Sequence, residues 1–245
     1  MHVKAVHTSI FQKNDDIFSF IINHVPRLNE RDIIVITSKI VSLSEGVVIP
    51  KAQKRKFLES ISTKMIETPW VILTCIDDEW TINAGVDESN AKQGLIVLPN
   101  DSHKTAHILL TKLKKSFKLK QCGVLITDTR SIPLRVGTVG RAIGYAGFKP
   151  CKSYIGKEDL FKRKSRVTIS NHADALAGVA VLTMGEGNEQ TPLAVISDAP
   201  VTFTNQKMNI RDKHMHISPD AIFLRKTMWN DFMYKPHISI TIINK

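Results

Sequence analysis

The chain has 245 residues, 42% hydrophobic and 23% charged, an ordinary balance for a globular protein with room for a sizeable core. Lys and Arg number 34 against 23 Asp and Glu, a formal charge of +11 that favours anionic partners: nucleic acid, phosphorylated small molecules or polycarboxylates. No apolar run is long enough for a bilayer, the N-terminal stretch lacks a signal-peptide core, and Cys75, Cys122 and Cys151 form no metal or redox pair, so the expectation is a cytoplasmic protein with reduced thiols and no membrane partner.

A short strand opens the chain, followed by a polar loop. Residues 15–25 place Ile17, Phe20, Ile21 and Val25 at helical spacing. The β-branched run DIIVIT at 32–37 predicts a buried strand, as do WVILTC at 70–75 and GLIVL at 94–98. Residues 101–117 predict a helix capped at Asp101 or Ser102, with the stripe Ala106, Leu109, Leu110, Leu113 and Phe117. Its other face is basic, with Lys104, Lys112, Lys114 and Lys115. GVLIT at 123–127 and LAVIS at 193–197 predict two further strands, and HISITII at 237–243 a terminal one. Between them, residues 149–166 read as a basic loop region and the Ala-rich 174–184 as a helix ending at Gly185. Residues 205–235 show no clear period. Strands and helices do not alternate regularly, which predicts an α+β fold with mixed sheets and flanking helices rather than a simple doubly wound Rossmann sheet. No repeat or linker divides the chain, so a single unit over 1–245 is expected, with two intimately associated subdomains as the variant.

Two polar segments could carry chemistry. In NAGVDESN at 83–90, Gly85 allows close backbone approach, and Asp87 and Glu88 are hard oxygen donors suited to Mg2+ or Mn2+; a capped surface turn would use the same residues. In TDTR at 127–130, Asp128 follows an apolar strand, where open α/β sheets place ligand chemistry, and Thr129 could add a hydroxyl; the alternative is a turn cap. The run 133–147 holds Gly137, Gly140, Gly144 and Gly147 among small residues, which suggests close packing near a ligand or another strand. It is neither a P-loop nor a dinucleotide fingerprint. Residues 184–191 form a polar loop between helix and strand. His103 and His107 stand four apart on one helix face, a spacing compatible with a transition metal, but no third ligand is near in sequence. Neither a Gly-x-Ser-x-Gly elbow nor a Cys/His nucleophile pattern occurs.

Taken together, these segments resemble the coenzyme F-420-0:γ-glutamyl ligase family from the N-terminal strand to about residue 200. The resemblance rests on NAGVDESN, on Asp128-Thr129, on Pro133, Arg135 and Gly137, on the run Ala142-Ile143-Gly144-x-Ala146-Gly147, and on Asp174-x-Leu176-Ala177 closing at Met184-Gly185. It implies a homodimeric enzyme that joins L-glutamate by an amide bond to an anionic acceptor at the expense of GTP. Asp87 and Asp128 are implied as the catalytic metal ligands, with Thr129 and Glu186 completing a two-cation Mg2+ or Mn2+ site; a monovalent cation is also allowed. GTP contacts are implied for Thr8, Ser9, Ile10 and Phe11, for Ser38, Lys39 and Asn90, and for the loop of Met184, Gly185, Gly187, Asn188, Glu189, Gln190 and Thr191. The chain departs from the family pattern in four places. Glu186 replaces the usual Gln, Leu43 a nucleotide-contacting Lys, Arg130-Ser131-Ile132 a Phe-Gly-Arg, and Lys162-Arg163 a Gly-Arg. The last three fall on nucleotide and acceptor surfaces and leave a folate-type acceptor as an alternative to F-420-0. Readings from other classes are a basic nucleic-acid-binding module, drawn from the runs at 51–56, 112–120 and 162–166, and a family member without catalysis. Low aromatic content and the lack of an RNA- or DNA-binding signature speak against nucleic acid.

Overall fold

Ile33 to Ile36 are fully buried, because a β-branched run with no polar face can only be satisfied with layers on both sides. This run is the central strand of a five-stranded sheet in a computed structural model, which describes residues 1–76, 79–89, 94–131 and 135–206. Chain contacts divide the protein into Met1–Lys207 and Met208–Lys245, and every described element belongs to the first. The strand expected at 237–243 lies outside the described residues.

The elements run β1 (His2–Val6), α1 (Ile17–His24), β2 (Ile33–Thr37), α2 (Ser38–Ser44), β3 (Val48–Ile49), α3 (Lys54–Ile61), β4 (Lys64–Glu67), β5 (Ile72–Ile76), β6 (Glu79–Ile82), β7 (Leu95–Ile96), α4 (Ser102–Phe117), β8 (Gly123–Ser131), β9 (Thr138–Ala146), β10 (Cys151–Ser153), β11 (Ile169–Asn171), α5 (His172–Met184) and β12 (Leu193–Ser197). The main sheet has the order β1-β12-β2-β8-β9. Only β2 and β8 are parallel, with Ile33 opposite Gly123 and Thr37 opposite Thr127; the other neighbours are antiparallel. The class is therefore the α+β arrangement expected, with a mixed sheet in place of a doubly wound one.

Helices cover both faces of this sheet. Ile34, Ile36, Val124 and Ile126 cluster with Phe20 and Ile21 of α1 and Leu109, Leu110 and Leu113 of α4. Side chains alternate along a strand, so Ile33, Val35 and Leu125 point to the opposite face. There α5 packs on β1, β8, β9 and β12. The cap of α1 is Asp16, whose Oδ2 accepts the Ser19 amide at 2.7 Å, and the cap of α4 is Asp101, which accepts the Lys104 amide at 2.9 Å.

Several sequence readings change in the structure. Most of the glycine-rich run is strand β9, and its close packing is against helices as well as a neighbouring strand. A bulge between Ile126 and Thr127 on the β8 side sets Ile126 opposite Gly144 and Thr127 opposite Ala142, leaving Ile143 as the extra residue. That extra residue reverses the side-chain parity of β9. A Cβ on Gly140 would meet Ala177 and Val181 of α5, whereas one on Gly144 would meet Ser102 of α4. Two glycines four apart thus admit helices on opposite faces of the sheet. The bulge also exposes the Ala142 amide, which donates to Asp174 Oδ1 at 2.8 Å and ties α5 to the sheet. Trp70, expected in a buried strand, is 89% exposed in the bend before β5. The His103 ring packs edge-on against Tyr145, and its Nδ1 faces the Tyr145 amide, so that histidine is a packing residue rather than half of a metal pair. Helices α2 and α3 are additions that the sequence reading did not contain.

Residues between α2 and α4 build a lobe of small sheets, β4-β5-β6 and β3-β7, around Leu58, Ala84, Val86, Leu95 and Val97. Among the described residues, no helix is long and apolar enough to cross a membrane.

Candidate functional site

The carboxyl ends of β1, β2 and β8, the end of α5 and the start of β12 meet at one edge of the main sheet. Open sheets hold ligands at such edges, because strand ends diverge and loops can wall a crevice. A cleft of about 350 Å³ lies here. It is walled by Thr8, Ser9, Ile10 and Phe11 after β1, by Thr37, Lys39, Ile40 and Leu43 from β2 and α2, and by Thr127, Asp128 and Thr129 of β8. Met184 through Pro192 form the remaining side, with Val181.

The loops are clasped together. The Thr8 amide donates to the Gln190 carbonyl at 3.1 Å, and Gln190 Nε2 donates to the Thr8 carbonyl at 2.7 Å. Thr191 Oγ1 donates to the Met184 carbonyl, closing the loop on the helix it leaves. Within it, Glu189 accepts the Gly187 amide at 2.8 Å. Gly185 has φ +80° and ψ 173°, a backbone conformation that L-residues rarely adopt, so glycine suits this loop path.

Asp128 lies within β8 rather than after it, because the strand continues past the bulge to Ser131. Its Oδ1 accepts the Ser38 hydroxyl at 2.8 Å. Desolvation pushes its carboxyl upward and outweighs the Ser38 bond, the Arg141 and Lys39 charges and the Thr129 amide. Ser38 is buried and does not line the cleft; it orients Asp128. Thr129 Oγ1 faces Glu186 Oε2 at 3.5 Å. Desolvation also raises Glu186, and the nearby Asp128 and Asp87 add to it against the pull of Lys39 and Thr129.

Asp87 arrives from the small-sheet lobe. Asn83, Ala84 and Gly85 all have positive φ, of 49°, 53° and 71°, a left-handed turn that L-residues avoid in series. The turn is held by Thr74 Oγ1, which accepts the Ala84 amide at 2.8 Å, and by Asn83 Oδ1, which accepts the Ile72 amide at 3.2 Å. Asp87 then bridges Ile96 through both backbone groups. Its Oδ1 accepts the Ser89 amide at 2.7 Å and its Oδ2 meets Lys39 Nζ at 2.8 Å. Desolvation tends to raise this carboxyl, but the Lys39 and Ser89 bonds hold it below the usual range. Asp87 does not line the cleft itself; it stands beside it across Lys39. Asn90 lies outside the described residues.

Of the residues that the resemblance implies for the site, Thr8–Phe11, Lys39, Asp128, Thr129 and Met184–Thr191 line this cleft. The sequence reading did not single out Thr37, Ile40, Val181 or Pro192, nor Arg141, whose charge acts on Asp128 from the neighbouring strand. Only the pairing of Asp128 with Arg141 across β8 and β9 could have flagged the arginine, and that register depends on the bulge. Leu43, where the resemblance expects a lysine, turns an apolar side chain to the cleft.

Among the described residues, no group of three or more His, Cys, Asp or Glu side chains is arranged to hold a metal ion. The donor chemistry nonetheless suits a hard cation. Asp128 and Asp87 both act electrostatically on Glu186, Thr129 adds a hydroxyl, and burial raises the Asp128 and Glu186 carboxyls.

A sheet-edge cleft lined by three carboxylates, a lysine and a glycine-containing loop defines a site for a polar ligand. The family is shown by comparison. The model of the F420-0:γ-glutamyl ligase family matches residues 5–79 and 53–198, and the chain belongs to that family, whose members are amide-forming ligases. It is 33% identical over 207 residues to the coenzyme F420:L-glutamate ligase of Methanosarcina acetivorans, covering 76% of this chain and 81% of that one. The protein of the same name from Methanococcus maripaludis strain S2 is 33% identical over 227 residues, 84% of this chain and 91% of the relative. The one from Archaeoglobus fulgidus is 30% identical over 208 residues, 76% and 83% respectively.

Proposed function

We propose that this protein uses GTP and a divalent cation to join L-glutamate to a carboxylate acceptor of the F420-0 type. The observation that carries the reading is the charge of the cleft. Its described lining sets one ammonium, Lys39, against three carboxylates, Asp128, Glu186 and Glu189. A triphosphate cannot enter such a surface unless cations come with it. Mg2+ or Mn2+ held by Asp87, Asp128, Thr129 and Glu186 would neutralise the phosphate oxygens and align the transfer.

The acceptor carboxylate attacks the γ-phosphorus, GDP leaves, and an acyl phosphate forms. The glutamate amine then attacks the acyl carbon, phosphate departs, and the amine loses a proton to solvent. No protein nucleophile is needed, in keeping with the absence of a nucleophile motif. Ser38 fixes the rotamer of Asp128, and the Thr8–Gln190 clasp holds the two loops as one wall. Arg130 near the end of β8 and the exposed Arg135 add positive charge suited to an anionic acceptor. Homodimer formation is part of the same proposal, supported by the apolar side chains of Val139, Val179 and Leu182 left exposed around α5.

Mass spectrometry of products tests the reading, with glutamate, GTP and Mn2+ supplied alongside F420-0 and folates. An acceptor heavier by one glutamyl residue, with matching GDP release, is expected for F420-0. Glutamylation of a folate alone would transfer the assignment to that acceptor, and no acceptor-dependent GDP release would refute the ligase function.

A further inference from the structure

Lys39 sits where a ligase would want empty coordination space. It begins the second residue of α2, and its ammonium reaches across to the other lobe. There it contacts Asp87 Oδ2 at 2.8 Å and Ser89 Oγ at 2.8 Å, while the Ser89 amide closes the ring onto Asp87 Oδ1 at 2.7 Å. The side chain is only a quarter exposed. Its charge also acts on Asp128 and Glu186, so one ammonium serves all three carboxylates implied as metal ligands. A cation in this position does the electrostatic work that a divalent ion would do, and the two compete for the same oxygen.

We propose that Lys39 is an internal counter-cation, which holds the Asp87 carboxylate in the metal-free protein and releases it when a divalent ion binds. This rests on the metal-site reading above. Its physical logic is that Asp87, left without a counter-charge, would repel Glu186, on which it and Asp128 both act, and so pull the small-sheet lobe away from the main sheet. The lysine keeps the parts together at a cost in metal affinity. Once freed, its ammonium lies beside the cleft, in reach of the anion that the metal brings.

The test is Mn2+ binding to the nucleotide-free protein, followed by electron paramagnetic resonance of the free ion. Lys39→Met keeps the length of the side chain and removes the charge. It is expected to bind Mn2+ about tenfold more tightly than the wild type, equivalent to about 1.4 kcal/mol of lost competition. Lys39→Arg keeps the charge and should bind as the wild type does. Thermal melts provide the second readout: metal-free Lys39→Met should melt below the wild type, and Mn2+ should close that gap. Unchanged or weaker Mn2+ binding in a folded Lys39→Met would overturn the counter-cation role while leaving the metal site standing. If neither protein binds Mn2+, the metal site fails and this inference fails with it.

Discussion

Asp128 and Asp87 carry opposite electrostatic signatures. Asp87 is compensated by Lys39 and Ser89, and its carboxyl is held low. Asp128 is recessed, and desolvation dominates, so its charge is a cost to the folded chain at neutral pH. Asn is nearly isosteric with Asp but neutral. Asp128→Asn should therefore raise the melting temperature of the metal-free protein while lowering turnover at least about a hundredfold, since even partners one shell further out cost up to that much. Asp87→Asn should lose turnover similarly but gain no stability, because it strands the Lys39 ammonium beside a neutral amide. Melting curves and steady-state rates on both variants check the pair. Wild-type turnover in either would remove that residue from the cation site.

At the element scale, α1 is a helix of eight residues capped by the side chain of Asp16. The Ser19 backbone and side-chain hydrogen bonds lower the Asp16 carboxyl. A carboxyl lowered on folding stabilises the fold above its unfolded value, near 3.9 for Asp, and that contribution fades as pH falls through the folded value. Asp16→Ala should cost about 0.5–2 kcal/mol near neutrality, toward the lower end for an exposed cap, and the gap from wild type should narrow at strongly acidic pH. Denaturant melts at the two pH values measure it. Strand β9 is constrained differently, by volume. A Cβ at Gly140 would stand 2.6 Å from the Ala177 carbonyl oxygen, a backbone atom of α5 that cannot move cheaply. Gly140→Ala should cost about 1–3 kcal/mol by overpacking, whereas Gly137→Ala meets no atom within 4 Å and pays only for its φ of +91°. Chemical denaturation of the two variants should show Gly140→Ala as the less stable.

At the scale of the described unit, the site is a meeting of parts: a sheet edge, a helix end, two clasped loops and an inserted lobe. A ligand that binds the folded state and not the unfolded chain stabilises the protein in proportion to its affinity. Mn2+ with GTP together should raise the melting temperature more than either alone, because the ion carries charge that the carboxylates and the phosphates each need. Equal shifts for GTP with and without metal would separate nucleotide binding from the carboxylate cluster. How much of this was legible from the chain follows from range. The apolar runs at 32–37, 123–127 and 193–197, the helical spacing at 15–25 and the capped helix at 101–117 were readable, since burial period and capping are local properties that survive in any packing. NAGVDESN and the loop at 184–191 were readable as non-core segments because carboxylates and amides are scarce in cores. Strand β9 was not, because its glycines answer to helices 35 or more residues away in the chain, and nothing in their immediate neighbours records that. The continuation of β8 through Asp128 was hidden for the same reason: a polar strand exists only if a partner pairs with it. The chain by itself thus determined which residues can be buried and which donor types are present. The folded structure alone decided that Lys39 would join Asp87 to Asp128 and Glu186, since a salt bridge between residues 48 positions apart is a property of distance in space, which sequence order does not set.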